Sequence, residues 1–384
     1  MPAAVINLRT ADDQRDVVHR AVQALAEGRL VAFPTETVYG LAASAINEKA
    51  VDRLSEIKGR KSGHPFTLAI KSADDAWDYV PHLSPLAQRL SRRCWPGPIT
   101  LVLDDDHPDS LLHQLPPKVC AAVAPQGTVG LRVPAHDLLL AVLRLTSGPL
   151  VLTSANRTGA AEATTAQEVL ANLGNDVDLV IDDGRSRYGQ PSSVVRVRPD
   201  GWQLLRSGVL TENALKRLAS FLILFVCTGN TCRSPMAECL LKHRLAARLQ
   251  CDVSELEDRG VIVMSAGLQA MAGGRATPEA VQVMQDRGLD LTLHESQPLV
   301  DRQARFADLI LTMTNGHREA IVSQWPSVAA RTHVLCRDGG DLADPIGGPI
   351  EYYRRCADRI DAQLDAWLPD IQSLGAFAEP SPGA

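Results

Sequence analysis

Residues 221–238 read FLILFVCTGNTCRSPMAE, and this stretch decides the fold of the second part of the chain. The apolar run 221–226 predicts a buried strand, and residues 236–245 predict a helix. Between them lies a small polar loop that begins with Cys227 and carries Arg233 six residues later. Loop N–H groups and a helix N-terminus together form an anion-binding site. The stretch therefore predicts a strand–loop–helix cradle for a tetrahedral anion.

Two side chains of this cysteine loop (residues 227–234) suit one type of reaction. Arg233 can hold two oxygens of a tetrahedral anion through its forked guanidinium. The positive field of the cradle favours the thiolate form of Cys227, which is the nucleophilic form. The pattern indicates phosphoryl transfer to sulfur, and the alternative is a buried cysteine beside a helix cap. Such a transfer needs an acid for the leaving atom, and Asp344, in a loop rich in proline and glycine, is the best candidate.

The composition of the chain limits its class. A length of 384 residues favours two domains, and eight scattered cysteines indicate reduced thiols rather than a disulfide framework. We find no signal-peptide pattern and no apolar run long enough for a bilayer, so we expect a cytoplasmic protein without membrane association. Residues 1–220 contain 24 Lys and Arg and 24 Asp and Glu, so the net charge of −6 falls on residues 221–384. Neither part has the basic character of a protein whose main task is binding nucleic acid.

Strands alternate with helices through the first 210 residues, which is typical of α/β proteins. A predicted helix at 12–27 precedes predicted strands at 30–34, 67–70, 99–103, 129–133, 150–153, 179–181, 194–197 and 203–205. Polar side chains follow several of these strands, where α/β proteins bind ligands. Basic members of these clusters suit a polyphosphate, and hydroxyl and amide members suit a small polar substrate.

Seven motifs of this part occur together in one family. They are VAFPTETVYGLAASA, IKGR followed by HPF, WPGPITLVL, GLRVP, LVLTSANRTG, PSSVV and LLRSG. In this order and spacing, residues 15–215 resemble the YrdC/Sua5 family of threonylcarbamoyl-AMP synthases. The resemblance implies a twisted mixed sheet with helices. It also implies a reaction that forms threonylcarbamoyl-AMP from L-threonine, bicarbonate and ATP, with release of pyrophosphate.

The resemblance assigns the polar clusters to threonine and ATP binding. The residues concerned are Thr35, Lys58, Arg60, His64, Arg132, Ser154, Asn156, Ser193 and Arg206. ATP is then a substrate, with Mg²⁺ on its phosphates and no metal site built from protein ligands alone. Two departures from the family pattern are Lys61, where proline is usual, and Ser193, where threonine is more usual.

The resemblance also implies partners of the first domain. The product serves N6-threonylcarbamoyladenosine modification of tRNA, which separate partner proteins complete, and the family's association with double-stranded RNA makes tRNA a candidate ligand. A domain that only binds RNA is the alternative from another class. Threonine-dependent consumption of ATP with release of pyrophosphate distinguishes the two hypotheses.

A second resemblance covers residues 221–368. The motifs VCTGNTCRSPMAE, SAG and DPIGG resemble those of the low-molecular-weight protein-tyrosine-phosphatase family. That resemblance implies a small Rossmann-like parallel sheet and a cysteinyl-phosphate intermediate, with no cofactor. It gives Cys227 the role of nucleophile, Arg233 that of phosphoryl-binding group and Asp344 that of general acid and base. Asn230 and Ser234 match positions that brace the loop.

The residue before the second cysteine of the loop bears on the substrate. Tyrosine-specific members commonly have a bulky aliphatic residue there, whereas this chain has Thr231. CTGNTCRS is similar to the protein-arginine-phosphatase branch, in which this threonine helps to select phosphoarginine. We therefore predict phosphorylated proteins as substrates and favour phosphoarginine over phosphotyrosine, although Ile346 stands where the arginine branch often has Phe.

Three further interpretations concern the same loop. Arsenate reductase on this fold is an alternative, but it needs two more cysteines close together, and residues 268–335 contain none. A loop that only senses a phosphorylated partner is another alternative. Thr228, Gly229 and Cys232 complete the predicted loop site, and we predict that Cys232 traps oxidised Cys227 as a reversible disulfide, against a simple packing role.

The sequence predicts two domains and a tail. The synthase-like domain takes residues 1–215, the phosphatase-like domain takes 221–370, and a disordered tail takes 371–384. Residues 211–220 have a helical pattern with no flexible spacer. The predicted fold class is α/β throughout.

Overall fold

The computed structural model describes residues 2–59 and 65–375 of the chain. The chain divides into two compact units, Met1–Leu215 and Lys216–Ala384. Across the described residues, the first unit contains a ten-stranded sheet and the second a four-stranded sheet. None of the helices in these residues combines the length and hydropathy that crossing a bilayer requires.

The sheet of the first unit contains both parallel and antiparallel neighbours. Its strands are β1 (Ala4–Asn7), β2 (Val31–Phe33), β3 (Gly40–Ser44), β4 (Thr67–Ala69), β5 (Ile99–Asp104), β6 (Thr128–Arg132), β7 (Leu150–Ser154), β8 (Leu179–Asp182), β9 (Ser193–Arg198) and β10 (Gly201–Arg206). Their order is β1-β8-β2-β3-β7-β4-β6-β5-β9-β10. Strands β2, β3, β7 and β4 pair antiparallel in turn, whereas β4 pairs parallel with β6. The predicted mixed sheet is confirmed.

Helices connect these strands. They are α1 (Gln14–Ala26), α2 (Glu48–Ile57), α3 (Ala76–Tyr79), α4 (Pro85–Cys94), α5 (Pro117–Val123), α6 (Asp137–Leu145) and α7 (Ala166–Leu173). A further helix, α8 (Glu212–Ala219), follows β10 in the chain. Side-chain caps set several starts: Asp13 accepts from the Arg15 N–H group, and Ser84 accepts from the Ala87 N–H group before Pro85. The predicted helix at 12–27 therefore begins only at Gln14, because Asp13 is its cap, and it ends at Ala26.

The centre of this sheet includes a strand that the sequence did not predict. The five residues of β3 are all buried, although GLAAS lacks β-branched and aromatic residues. Pairing with β2 and β7 on its two sides decides its conformation, so tertiary contacts override a weak local preference. Helix α2 also went unpredicted, although Asn47 caps it by accepting from the Ala50 N–H group.

All strands of the second sheet run parallel. They are β11 (Phe221–Cys227), β12 (Val261–Gly267), β13 (Leu309–Thr312) and β14 (Thr332–Val334), in the order β12-β11-β13-β14. The connecting helices are α9 (Arg233–Leu249), α10 (Pro278–Gln285), α11 (Asp301–Phe306) and α12 (Asn315–Gln324), and α13 (Ile350–Ser373) follows the last strand. The predicted parallel sheet is confirmed.

Strand β11 separates two apolar cores, because successive side chains of a strand point to opposite faces. Phe221, Ile223 and Phe225 belong to a core with residues of α9, α10 and α13. Leu222 and Leu224 belong to a core with residues of α11 and α12. Helices therefore cover both faces, and the fully buried central strand delivers Cys227 to the carboxyl edge of the sheet.

The last helix, α13, extends into the predicted tail. It continues to Ser373, so the first residues of the predicted tail, 371–373, are helical, and Ile371 is buried in the core. Burial of this side chain keeps the last turn on the domain. Residues 376–384 of the predicted tail lie outside the described residues.

Candidate active sites

The cysteine loop connects the carboxyl end of β11 to the start of α9. Cys227 is the last residue of the strand, Arg233 is the first residue of the helix, and both are buried. Within the loop, Asn230 has a φ of 54°. Asparagine tolerates this left-handed conformation better than most residues do. This left-handed conformation of Asn230 allows a tight turn between β11 and α9.

Hydrogen bonds hold Asn230 in this conformation. Its side-chain nitrogen donates to Ser234 Oγ at 3.0 Å and to Ser265 Oγ at 2.8 Å. Its side-chain oxygen accepts from the Gln297 N–H group at 2.9 Å, and its carbonyl oxygen lies 2.8 Å from His294 Nε2. These bonds offset the cost of the backbone conformation and fix the loop before any ligand binds.

Two of the same groups contact the reactive sulfur. The Asn230 N–H group donates to Cys227 Sγ at 3.2 Å, and Ser234 Oγ lies 3.0 Å from that sulfur. Donors at this distance stabilise a thiolate more than a thiol, because the negative form accepts stronger hydrogen bonds. Both contacts come from within the cysteine loop, so the loop conformation fixes the position of the sulfur.

Arg233 lies beside the predicted acid. Its Nη2 donates to Asp344 Oδ2 at 2.5 Å, and its Nη1 donates to the Leu342 carbonyl oxygen at 3.1 Å. The arginine side chain is 5% exposed, whereas that of Asp344 is 40% exposed. The guanidinium is thus fixed in the interior, and the carboxylate faces the opening of the site.

The other predicted loop residues take different positions. Thr228 is exposed, and its Oγ1 lies 2.9 Å from His317 Nε2. The carbonyl group of Thr231 accepts from the Thr277 N–H group at 3.0 Å. Cys232 Sγ is buried, 3.5 Å from Thr277 Oγ1. Gly229 is half-buried. His317 was not predicted, and no short motif marks it.

The first unit has an open cavity of about 190 Å³ across the middle of its sheet. Small residues on neighbouring strands leave the space, among them Gly40, Thr67, Thr100 and Gly130. A Cβ atom on Gly40 would lie 2.8 Å from Leu152 Cδ1, so glycine at this position leaves room for the leucine side chain. Of the predicted site residues, the cavity is lined by Thr35, Arg132, Ser154 and Arg206.

Arg132 is paired with a buried acid at the edge of this cavity. Its Nη2 donates to Glu36 Oε1 and to Thr37 Oγ1, each at 2.8 Å. The other oxygen of Glu36 accepts from the Ala135 N–H group at 3.0 Å. Within the described residues, Arg132 Nε is buried without a hydrogen-bond partner. Thr35 Oγ1 donates to the Val38 carbonyl oxygen at 2.6 Å, which fixes the turn before β3.

Lys58 and Asn156 lie together next to Ser154. Lys58 Nζ donates to Asn156 Oδ1 at 2.9 Å and to the Ser154 carbonyl oxygen at 3.0 Å. Ser154 Oγ donates to Asn156 Oδ1 at 2.6 Å. Of these three residues, Ser154 lines the cavity. Arg60 and His64, which complete this predicted group, lie outside the described residues.

At the other end of the cavity, Arg206 binds Ser192. Its Nη2 donates to the Ser192 carbonyl oxygen at 2.8 Å and to Ser192 Oγ at 3.1 Å. Burial lowers the pKa of Arg206 from its ordinary value, the neighbouring charge of Glu162 opposes this shift, and Glu162 also lines the cavity. The predicted Ser193 instead donates to the Leu210 carbonyl oxygen at 2.9 Å.

The fold and the sites define the class of each unit. The first is a mixed-sheet domain with a cavity whose lining includes Arg132 and Arg206. The second is a parallel-sheet domain with a buried cysteine thiol, an arginine and an aspartate at one edge. The family described as "Telomere recombination" (Sua5/YciO/YrdC) matches residues 23–208, and the family described as "Low molecular weight phosphotyrosine protein phosphatase" matches residues 222–376. The chain belongs to both families.

Individual relatives agree with this assignment. A threonylcarbamoyl-AMP synthase of Pyrococcus abyssi is 35% identical over 214 residues, which are 56% of this chain and 60% of that protein. A protein-arginine-phosphatase of Geobacillus stearothermophilus is 37% identical over 155 residues, which are 39% of this chain and 96% of that protein. The crystal structure of P. abyssi Sua5 complexed with L-threonine is 25% identical, with a TM-score of 0.51, and the match covers 69% of this chain and 92% of that structure. The chain thus spans three fifths of the length of the Pyrococcus synthase.

Proposed function

We propose that the chain is a bifunctional enzyme. The first unit forms threonylcarbamoyl-AMP from L-threonine, bicarbonate and ATP, for N6-threonylcarbamoyladenosine modification of tRNA. The second unit removes phosphate from protein phosphoarginine through a cysteinyl-phosphate intermediate. The observation that carries the proposal is the convergence of Cys227, Arg233 and Asp344 at the carboxyl edge of the second sheet. Family membership of both units supports it.

The cavity of the first unit suits two anionic reactants. Arg206 and Arg132 lie in its wall, and small hydroxyl residues such as Thr35 and Thr100 line the space between strands. Carbamate formation and attack on an α-phosphate need no protein nucleophile, so positioning and charge neutralisation account for catalysis. Lys58 donates to the Ser154 carbonyl oxygen and to Asn156 Oδ1. These contacts hold the Ser154–Asn156 turn, so the role we propose for Lys58 is to shape the wall of the cavity.

We expect Mg²⁺ to accompany ATP on its phosphates. Residues 2–59 and 65–375 contain no group of three or more His, Cys, Asp or Glu side chains that could hold a metal ion. The donors for a metal would therefore come mainly from the nucleotide. Arg206 and Arg132 would contact phosphate oxygens that the ion leaves free.

Release of pyrophosphate tests the first activity. The full chain, given ATP, bicarbonate and L-threonine, is expected to release pyrophosphate at a rate that depends on threonine. Release that is independent of threonine, combined with tight binding of tRNA, would favour the alternative of an RNA-binding module.

The geometry of the second site supports a two-step transfer. The Cys227 thiolate attacks phosphorus, and the S–P bond forms as the P–N bond to the guanidinium breaks. Arg233 moves its donors from Asp344 to the phosphoryl oxygens, and Asp344 in its acid form gives a proton to the leaving nitrogen. Water then attacks phosphorus, Asp344 takes its proton, and the sulfur leaves as a thiolate that Ser234 and Asn230 stabilise.

Thr231 supports arginine rather than tyrosine as the substrate residue. Its backbone is tied to Thr277, and its side chain is half-buried beside the opening. A threonine leaves more room and a polar group where a bulky aliphatic side chain would pack on a phenyl ring. The similarity to a protein named protein-arginine-phosphatase supports the same choice.

Competition between substrates tests this specificity. Phosphoarginine and phosphotyrosine peptides are given together to the full chain and to Thr231→Ile. We expect the wild type to prefer phosphoarginine and Thr231→Ile to shift toward phosphotyrosine by about tenfold or more. A wild type that prefers phosphotyrosine contradicts the arginine assignment.

We further propose a set of partners and a cellular location for the chain. Its partners are phosphorylated proteins, tRNA-modifying proteins and tRNA, and its location is the cytoplasm. We also propose that Cys232 traps oxidised Cys227 as a reversible disulfide. If the thiol-reversible part of peroxide inactivation were the same in Cys232→Ala and wild type, Cys232 would not be the trapping thiol.

A further inference from the structure

The first turn of α12 contacts two separate loops of the second unit. The turn begins at Asn315, and the side chain of Thr314 caps it by accepting from the His317 N–H group at 3.1 Å. One contacted loop is the cysteine loop. The other is the acid loop, defined here as residues 337–348, which contains Asp344.

Asn315 binds the acid loop. Its backbone N–H group donates to Asp341 Oδ1 at 2.7 Å, and its side-chain nitrogen donates to the same oxygen at 3.0 Å. That nitrogen also donates to the Gly339 carbonyl oxygen at 2.9 Å. Asp341 lies three residues before Asp344. The helix start therefore fixes the segment that carries the proposed acid.

His317 binds the cysteine loop. Its Nε2 lies 2.9 Å from Oγ1 of Thr228, the residue after Cys227. In the described part of the chain, its Nδ1 is buried and has no hydrogen-bond partner. Burial, followed by the charge of Arg233, lowers the pKa of His317, whereas the carboxylates of Asp344 and Asp341 oppose that shift. A neutral imidazole thus lies between the two loops.

We propose that Asn315 and His317 are positioning residues that hold Asp344 at the leaving atom of a phosphoryl group bound at Cys227. The inference rests on the proposed phosphatase function. When a phosphoryl group takes the donors of Arg233, Asp344 loses its bond of 2.5 Å to that guanidinium. Its position then depends on the loop that carries it, and α12 ties that loop to the cysteine loop.

This role predicts a dependence on the leaving group. A leaving group of low basicity departs without a proton, whereas a basic one requires the acid to be in place. Loss of the contacts of α12 should therefore slow phenyl phosphate much more than 2,4-dinitrophenyl phosphate. A general loss of folded enzyme would slow both esters equally.

The test compares kcat/KM for the two esters on the full chain, because this ratio reports the step in which the leaving group departs. In His317→Leu, kcat/KM for phenyl phosphate should fall roughly 10-fold to 100-fold relative to that for 2,4-dinitrophenyl phosphate. In His317→Gln, whose amide nitrogen can replace Nε2, most of this loss should be recovered. Thr228→Val should give the same selective loss as His317→Leu, without adding to it in the double variant.

Arg318→Leu is the matched control. Arg318 lies on the same helix but donates to the Thr332 carbonyl oxygen in β14, at 2.9 Å. We expect this variant to change stability and to leave the ratio between the esters unchanged. If the ratio of kcat/KM between the two esters is the same in His317→Leu as in the wild type, whether or not both values fall, the positioning role is overturned. This outcome applies while Cys227-dependent turnover continues. Absence of Cys227-dependent turnover in the wild type would contradict the proposed phosphatase function itself.

Discussion

In the cysteine loop, the sulfur and the arginine that serve the proposed reaction lie six residues apart in one strand–loop–helix segment. The cavity of the first unit is built in another way, because Thr35, Arg132 and Arg206 come from separate strands and turns. A local site depends on one backbone conformation, held by Asn230. A dispersed site depends on the order of strands in the sheet. This difference decides what disrupts each site and what a sequence can reveal about it.

The largest expected effect follows removal of the thiol. Cys227→Ser should lower phosphatase activity by roughly 10⁴-fold or more, because a hydroxyl is not ionised near neutral pH and forms no cysteinyl phosphate. The measurement is release of phosphate from a phosphoarginine peptide. Retention of activity within tenfold would mean that the local site is not the reactive one.

The cavity should respond strongly to loss of one guanidinium. Arg206→Ala should lower kcat/KM for threonine-dependent pyrophosphate release about 10²-fold to 10³-fold, because a preorganised cation at the phosphates is lost. Arg198→Ala is the control, since Arg198 is exposed at the end of β9. Equal losses in the two variants would remove Arg206 from the site.

A buried pair in the dispersed site also contributes to stability. Arg132→Met should destabilise the first unit by about 3–5 kcal/mol, because Glu36 is then left buried without its cation. The side chains are 8% and 5% exposed, so the pair is largely shielded from bulk water. Denaturant unfolding checks the value, and replacing both partners with apolar residues should cost much less. A loss below about 1 kcal/mol for Arg132→Met would contradict this.

The smallest effect concerns pH and the second unit. Burial lowers the pKa of both His317 and His333 from the ordinary value of 6.5. The unfolded chain therefore binds protons at these positions before the folded chain does, so stability should fall as pH falls below about 6.5 and level off below the folded values. His317→Gln should flatten this slope in denaturant titrations. An unchanged slope would show that His317 titrates alike in both states.

The same difference explains what the sequence could predict. Cys227, Arg233 and the parallel sheet were predicted because the apolar strand, the loop and the helix start are contiguous. Strand β3 was missed because its small residues carry no strand signal and pairing with β2 and β7 determines it. The contact of His317 with Thr228 joins positions 89 residues apart, so only the fold brings them together.

Within the cavity, the alternation of side chains along a strand indicates which residues face the ligand space. Ser192 and Val194 line the cavity, and Ser193 between them points to Leu210. Because every second side chain points to the same face, Ser192 lies on the same side as Val194, and Ser193 lies on the opposite side. The pairing of Glu36 with Arg132 had no such signal, since it depends on the sheet.

The most direct test of the account measures both activities in one preparation of the full chain. Wild type, Cys227→Ser and Arg206→Ala are each assayed for phosphate release from a phosphoarginine peptide and for threonine-dependent pyrophosphate release. We predict that the wild type performs both reactions, that Cys227→Ser loses only the first and that Arg206→Ala loses only the second. A wild type that lacks either reaction, or a single substitution that abolishes both while the chain stays folded, would contradict the presence of two separate active sites.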